Sequence, residues 1–295
     1  MFERLRARMA QGDVIIADGA TGTMLYQAGL PVGTPPERWV WEKPEEILKL
    51  HTAYVDAGAE IILTCTFGGT LPRLRRDGLD PYADEINRRA AQLARQAAGD
   101  RALVAGDIGP TSEMLEPYGL MSREEAVALF KRQAEALAAE GVDLFQIETM
   151  SALEEMEAAI EGVRQAAPDA PIFATFSFDA GGRTMMGVTP EAAAERLRAL
   201  GVTAMGANCG QQVEETAAAV RAMRSVAPEV PAIVKPNAGL PRLVDGVPVY
   251  DLTPEALARY AREWMDEGIR VIGGCCGTTP EHIRALREAA DQRKG

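Results

Sequence analysis

Short runs of apolar and β-branched residues alternate along the chain with longer stretches in which apolar positions recur every three or four residues. The first pattern suits strands buried on both faces and the second amphipathic helices, so the alternation predicts repeated βα units around a parallel sheet. Eight strand candidates stand out, at residues 14–20, 60–67, 102–109, 142–149, 171–179, 202–210, 231–239 and 269–277. Helix starts are marked by Thr189, Thr253 and Thr279, each followed by Pro-Glu, and by Ser122-Arg-Glu-Glu, which reads as a capping box. Gly58, Gly141, Gly201 and Gly268 stop helices just before the next apolar run. Eight such units in 295 residues predict an α/β fold, a single (β/α)8 barrel spanning residues 1–295, with its active site at the C-terminal ends of the strands. An open doubly wound sheet is the rival, but Asp18-Gly-Ala-Thr-Gly-Thr23 matches a dinucleotide loop only in part. The longest irregular stretches, 27–43, 70–82 and 240–252, are expected over the catalytic end.

Composition narrows the partners. A net charge of −12, with acidic and basic residues mixed along the helical stretches, argues against nucleic acid or an anionic membrane surface. No apolar run approaches the roughly 20 residues that span a bilayer, and the first residues lack an apolar signal core. A cytoplasmic protein with a small-molecule or protein partner is expected. Only four cysteines occur, which fits a reducing compartment better than a disulfide framework.

Three of those cysteines carry the candidate chemistry. Cys275 and Cys276 lie between glycines in Gly273-Gly-Cys-Cys-Gly277, and neighbouring cysteines bridge each other only with backbone distortion. A barrel brings Cys209, at the end of the sixth strand, to the same mouth. Three thiolates around one soft divalent ion leave a tetrahedral zinc site one ligand short, and a site so rich in negative sulfur suits thiol alkylation better than hydrolysis. The plainer readings are a structural zinc or simply buried thiols. Both histidines, His51 and His282, fall in predicted helices, so a metal here relies on sulfur. Cys65 is expected as a core or mouth-lining thiol rather than a fourth ligand.

Asp18 and Glu148 end the first and fourth strands, where they would either cap loops or hold a substrate ammonium, and the turn from Gly19 to Thr23 offers amides for a carboxylate. An amino acid with a thiol fits these elements together. Lys235, at the end of the seventh strand, is the main chemical alternative, a Schiff-base lysine, but an acidic mouth would raise its pKa rather than depress it. The methionine-rich 183–187 loop would line a substrate wall or fill core gaps.

The ordered set Asp18-Gly-Ala-Thr-Gly-Thr23, Thr64-Cys-Thr-Phe67, Gly106-Asp-Ile-Gly-Pro-Thr111, Ile147-Glu-Thr149, Asn208-Cys209, Pro236-Asn-Ala-Gly239 and Gly273-Gly-Cys-Cys-Gly277 resembles the zinc-dependent homocysteine S-methyltransferase domain. That family includes the homocysteine-binding domain of cobalamin-dependent methionine synthase and the betaine and S-methylmethionine enzymes. The resemblance implies methyl transfer to homocysteine, giving methionine. It implies that Cys209, Cys275 and Cys276 bind zinc, with Asn237 as the exchangeable ligand, and that Glu148 and Asp18 contact the substrate amino group. Amides of Gly19, Ala20 and Thr21, and those near Thr66 and Phe67, would receive the substrate carboxylate. One departure is visible, since the family often has asparagine where Cys65 stands. The motifs look more like the methionine synthase branch, which implies methylcobalamin as donor. No second barrel or cobalamin-binding segment follows Gly295, so a corrinoid protein or domain would present it. S-methylmethionine or betaine is the alternative donor, and a non-catalytic zinc scaffold in a methyl-transfer assembly is the alternative of another class.

Overall fold

The computed structural model describes residues 2–179, 181–244 and 247–293. Its strands are β1 (Ile15–Ile16), β2 (Ile61–Leu63), β3 (Leu103–Ile108), β4 (Leu144–Met150), β5 (Ile172–Phe176), β6 (Ala204–Cys209), β7 (Ala232–Pro236), β8 (Arg242–Val244), β9 (Val247–Val249) and β10 (Val271–Ile272). Eight of them form one parallel sheet in the order β1-β10-β7-β6-β5-β4-β3-β2, and an isolated parallel bridge between Ala17 and Ile61 joins its two edges. Helices connect successive strands, giving the expected (β/α)8 barrel.

Every strand candidate overlaps a barrel strand; β4 runs one residue past its candidate, to Met150, and the other ladders stop earlier than the apolar patterns suggest. The first run keeps only Ile15–Ile16 and the last only Val271–Ile272, so Asp18, Cys275 and Cys276 sit in loops just past their strands. Backbone hydrogen bonds still tie the loop after β10 to its two neighbours: Gly274 N–H donates to Asp18 O (3.0 Å) beyond β1, and Cys275 N–H to Pro236 O (2.8 Å) on β7.

The apolar interior has two shells. Ile15, Ile61, Leu103, Leu144, Phe173, Ile233 and Val271 fill the barrel itself, and a larger layer packs between strands and helices. The N-terminal helix, Phe2–Ala10, plugs the bottom of the barrel. Leu5 and Met9, one turn apart, are buried there, and Phe2 meets Phe173 edge-on with ring centroids 6.5 Å apart. Arg8, on the same helix, pairs with Glu60 and Asp13. Full burial of each such side chain stabilises by about 1.5–3 kcal/mol. With the N-terminal end closed, the C-terminal end is left as the mouth.

The helix starts follow the sequence signals. Thr189 and Thr253 accept from the amides of Ala192 and Ala256, and Ser122 and Glu125 form the capping box. Thr279 differs in detail: its hydroxyl donates to Glu281 Oε2 (2.6 Å) and its backbone N–H to His282 Nδ1 (3.1 Å). The three long connections carry short helices, Glu37–Glu42 and Leu71–Arg75, and the antiparallel β8–β9 hairpin. Among the described residues no helix is long and apolar enough to cross a membrane.

Candidate metal centre and substrate pocket

The three predicted thiols converge. The Sγ atoms of Cys209, Cys275 and Cys276 all lie within 4.8 Å of one another, and those of Cys209 and Cys275 are 2.9 Å apart. Sheet order explains this, because β6, β7 and β10 are neighbours and the end of β7 stitches the other two together. Cys209 is in register with Pro236, whose carbonyl accepts from Cys275, while Ala238 N–H donates to Cys276 O (2.9 Å). Gly277 has φ +80°, and a Cβ there would overlap the Tyr250 ring, so glycine is required where the thiol loop turns back. Cys65 is buried in the mouth wall and is not part of the trio.

Asn208 holds the geometry. Its Oδ1 accepts from Thr149 N–H (2.9 Å) and Thr175 Oγ1 (2.7 Å), and its Nδ2 donates to Thr149 Oγ1 (2.7 Å). Thr149 and Cys209 both have left-handed backbone, φ 61° and 58°, which is costly for residues with a Cβ and persists only where neighbours enforce it. A register shift in β4 between Ile147 and Met150 accompanies the first of these and re-aims the strand end that carries Glu148.

The three thiols also affect one another's ionisation. Hydrogen bonds from Cys209 and Cys275 hold the Cys276 thiol well below its usual range, with Tyr250 adding another. Its own bonds with Cys275 and Cys276 push Cys209 well above its usual range. Cys275 gains a bond from Cys209 that favours its thiolate, but its bond to Cys276 and its burial prevail and raise it. One charge is therefore shared and a second is resisted. Three soft donors at this spacing fit zinc, whose roughly 2.3 Å bonds to sulfur place tetrahedral sulfurs about 3.8 Å apart. The closest pair need open by only about 1 Å to meet that spacing. Asn237 stands between Pro236 and Ala238, whose backbones bond Cys275 and Cys276; its Nδ2 donates to Gly210 O (2.7 Å), and its buried Oδ1 has no hydrogen-bond partner among the described residues.

Next to the sulfur lies a carboxylate floor. Asp18, Asp107 and Glu148 are buried beside Lys235, itself only 2% exposed, whose Nζ is 3.1 Å from Glu148 Oε2 and 3.9 Å from Asp18 Oδ1. Burial raises Asp18 to about 7 despite Lys235 and a 2.7 Å hydrogen bond from Leu63 N–H. Burial likewise raises Glu148 and Asp107. Burial alone would lower Lys235, but Glu148 and Asp18 outweigh it and hold the ammonium above its usual range. This is the reverse of what a Schiff-base nucleophile needs, as the acidic mouth led us to expect.

A cavity of about 430 Å³ is lined by both groups. Its lining includes Gly19, Ala20, Thr21, Thr66, Phe67, Asp107, Glu148, Lys235 and all three thiols. Two of the amides expected to receive a carboxylate are already engaged, Ala20 with Thr278 and Thr66 with Thr64 O. Among the described residues, those of Gly19, Thr21 and Phe67 are not so bonded. Met185 is largely exposed and Met186 partly so, so neither fills the core, and the 183–187 loop does not line the cavity.

Sequence reasoning assigned no role to Asp107, Glu37, Asn208 or Tyr250. The strand-end argument used for Asp18 and Glu148 applies equally to Asp107. Glu37, whose Oε1 accepts from Gly68 N–H (2.5 Å), and Tyr250 reach the mouth through loop geometry that no local pattern announces.

A model described as homocysteine S-methyltransferase matches residues 15–290. The chain belongs to this family. It is thus an enzyme that methylates homocysteine, which sets the non-catalytic scaffold aside. The metallated form of the homocysteine methyltransferase MmuM from Escherichia coli superposes with a TM-score of 0.81 at 29% identity, covering 96% of this chain and 99% of that one. The oxidized form of MmuM gives 0.80 at 30% identity, covering 96% and 98%. A type I 3-dehydroquinate dehydratase from Clostridium difficile, at 12% identity and a TM-score of 0.55 over 96% and 92% of the two chains, shares the fold alone.

Proposed function

We propose that the whole chain acts as one homocysteine-binding barrel that forms methionine, with zinc held by Cys209, Cys275 and Cys276 and the methyl group brought by methylcobalamin on a corrinoid partner protein. The observation that carries this reading is the convergence of three thiols from two distant stretches on a cavity that buried carboxylates also line. Zinc, when bound, supplies a Lewis acid that lowers the pKa of an incoming thiol. Asn237 Oδ1, free of other partners, is the exchangeable ligand in the absence of substrate.

The chain's own residues fix the direction of approach. Glu148 and Asp18 take the substrate ammonium, and the amides of Gly19, Thr21 and Phe67, which are not committed elsewhere among the described residues, take its carboxylate. Held at both polar groups, homocysteine presents its sulfur toward the thiol trio. The sulfur then attacks the methyl carbon in line, its bond to carbon forming as the bond to the donor breaks. Such positioning replaces translational freedom that a bimolecular reaction in water would have to lose.

Exposed apolar side chains on mouth-side loops support a macromolecular donor: Met114, Tyr118 and Leu120 after β3, Met185 after β5, and Leu240 and Leu243 after β7. S-methylmethionine or betaine is the second reading, favoured by a cavity with room for a small donor beside homocysteine. Zinc-loaded protein incubated with homocysteine and, in parallel, methylcobalamin, S-methylmethionine and betaine should form methionine from one of them. Cys275→Ala should lose stoichiometric zinc and methyl transfer together, and retention of both defeats the assignment.

A further inference from the structure

The cavity floor carries more negative charge than the chain compensates. Three buried carboxylates, Asp18, Asp107 and Glu148, surround a single ammonium, that of Lys235. Lys235 is committed to Glu148 Oε2 and, at longer range, to Asp18. Among the described residues, no ion pair reaches Asp107. Two oxygens, Asp18 Oδ1 and Asp107 Oδ1, are buried without any hydrogen-bond partner. Buried carboxylate oxygens left in this state are costly unless something else supplies the donors.

The backbone of Asp107, by contrast, is fully engaged. Its N–H donates to Thr64 Oγ1 (2.9 Å), and its carbonyl accepts from Thr66 Oγ1 (2.7 Å) and Gln133 Nε2 (3.3 Å). The residue is pinned by its main chain while its side chain, 5% exposed, lines the cavity without a partner. That combination is what a preformed acceptor for a cationic ligand looks like. An ammonium has three N–H donors, and the floor offers Asp18 Oδ1, Asp107 Oδ1 and the oxygen of Glu148 that Lys235 does not take.

We propose that Asp107 is a further substrate-binding residue, receiving the α-ammonium of homocysteine together with Asp18 and Glu148, while Lys235 fixes the position of Glu148. This rests on the homocysteine reading of the site. It makes the amino group, rather than the thiol alone, a main determinant of which thiols are accepted. Burial and the neighbouring carboxylates also raise Asp107, a tendency that a second cation in the floor would reverse.

The test compares homocysteine with 4-mercaptobutanoate, the same chain without the amino group, by calorimetric titration of zinc-loaded wild type and Asp107→Asn. The variant should bind homocysteine about 30-fold more weakly, as expected for one charge-assisted hydrogen bond, and 4-mercaptobutanoate within about threefold of wild type. Equal weakening of both ligands, or unchanged homocysteine binding, overturns the assignment. Should Asp107→Asn fail to fold, Asp107→Ser is read the same way. A wild type that binds neither thiol overturns the homocysteine reading itself, and the proposal with it.

Discussion

Lys235→Met tests the electrostatic account of the mouth most directly. The substitution keeps an unbranched apolar stem of similar length and removes only the ammonium, which is 3.1 Å from Glu148 and almost wholly buried. Removing one partner of a buried pair leaves the other charge uncompensated, at a cost of about 3–5 kcal/mol. With an unfolding entropy of roughly 2.1 cal/mol/K per residue over 295 residues, that cost lowers the thermal midpoint by about 5–8 °C. The assay is calorimetric unfolding at equal zinc content. The exposed Arg101–Asp56 pair, 2.6 Å apart, is the control, since solvent screens it and Arg101→Met should move the midpoint by less than about 2 °C. The pH dependence has a definite sign. Without Lys235 nothing opposes the effect of burial on Glu148, so its folded pKa lies further above the unfolded value. The group then favours the fold at low pH and loses that contribution as pH rises, so the deficit of the variant should be larger at pH 8 than at pH 5. The double variant Lys235→Met/Glu148→Gln should recover more than half of the loss. A midpoint within about 2 °C of wild type for Lys235→Met, or no recovery in the double variant, refutes the reasoning.

Two further outcomes follow from the same floor and its supports. Asp18, raised from 3.8 to about 7, disfavours the folded state as pH climbs between those values, by about 4 kcal/mol at roughly 1.4 kcal/mol per pH unit. The stability of wild type relative to Asp18→Asn, from urea unfolding, should therefore fall between pH 4 and pH 8, and a flat difference counts against it. Asn208→Ala removes three hydrogen bonds, two that hold Thr149 in left-handed backbone and one from Thr175, and should cost about 2–4 kcal/mol in the same assay, whereas a loss under 1 kcal/mol shows that Thr149 is held by other means.

Much of this architecture was legible because parallel barrel strands are buried on both faces and read as continuous apolar runs. Their C-terminal limits were not, since the same small and apolar residues continue into the mouth after the ladder ends, as at Asp18 and Gly273–Gly274. The vicinal cysteines were legible through their chemistry: adjacent thiols between glycines need a partner from elsewhere, and sheet order supplies Cys209. The plug helix Phe2–Ala10 was not foreseen, because three apolar residues among arginines give only a thin stripe whose burial depends on an open barrel end. The commitment of the Ala20 and Thr66 amides to Thr278 and Thr64 was equally invisible, being set by contacts distant in sequence or by a local turn. The acidity of the mouth did show in the sequence, and with it the fate of Lys235.

Lys235 also explains how sulfur and carboxylate coexist at one mouth. The thiol trio lies at the ends of β6 and β10, and the carboxylates lie on or just beyond β1, β3 and β4, with β1 beside β10, so negative groups crowd one mouth. Cys275 raises Glu148, and each side makes the other harder to ionise. The ammonium on β7 faces both, favouring the thiolate of Cys275 and the carboxylates of Glu148 and Asp18 together. Zinc at the sulfur end and an amino acid's ammonium at the oxygen end would each remove part of this strain independently. Such a mouth gains from holding both cations, which is a physical reason for a thiol substrate to carry an amino group at the far end of its chain.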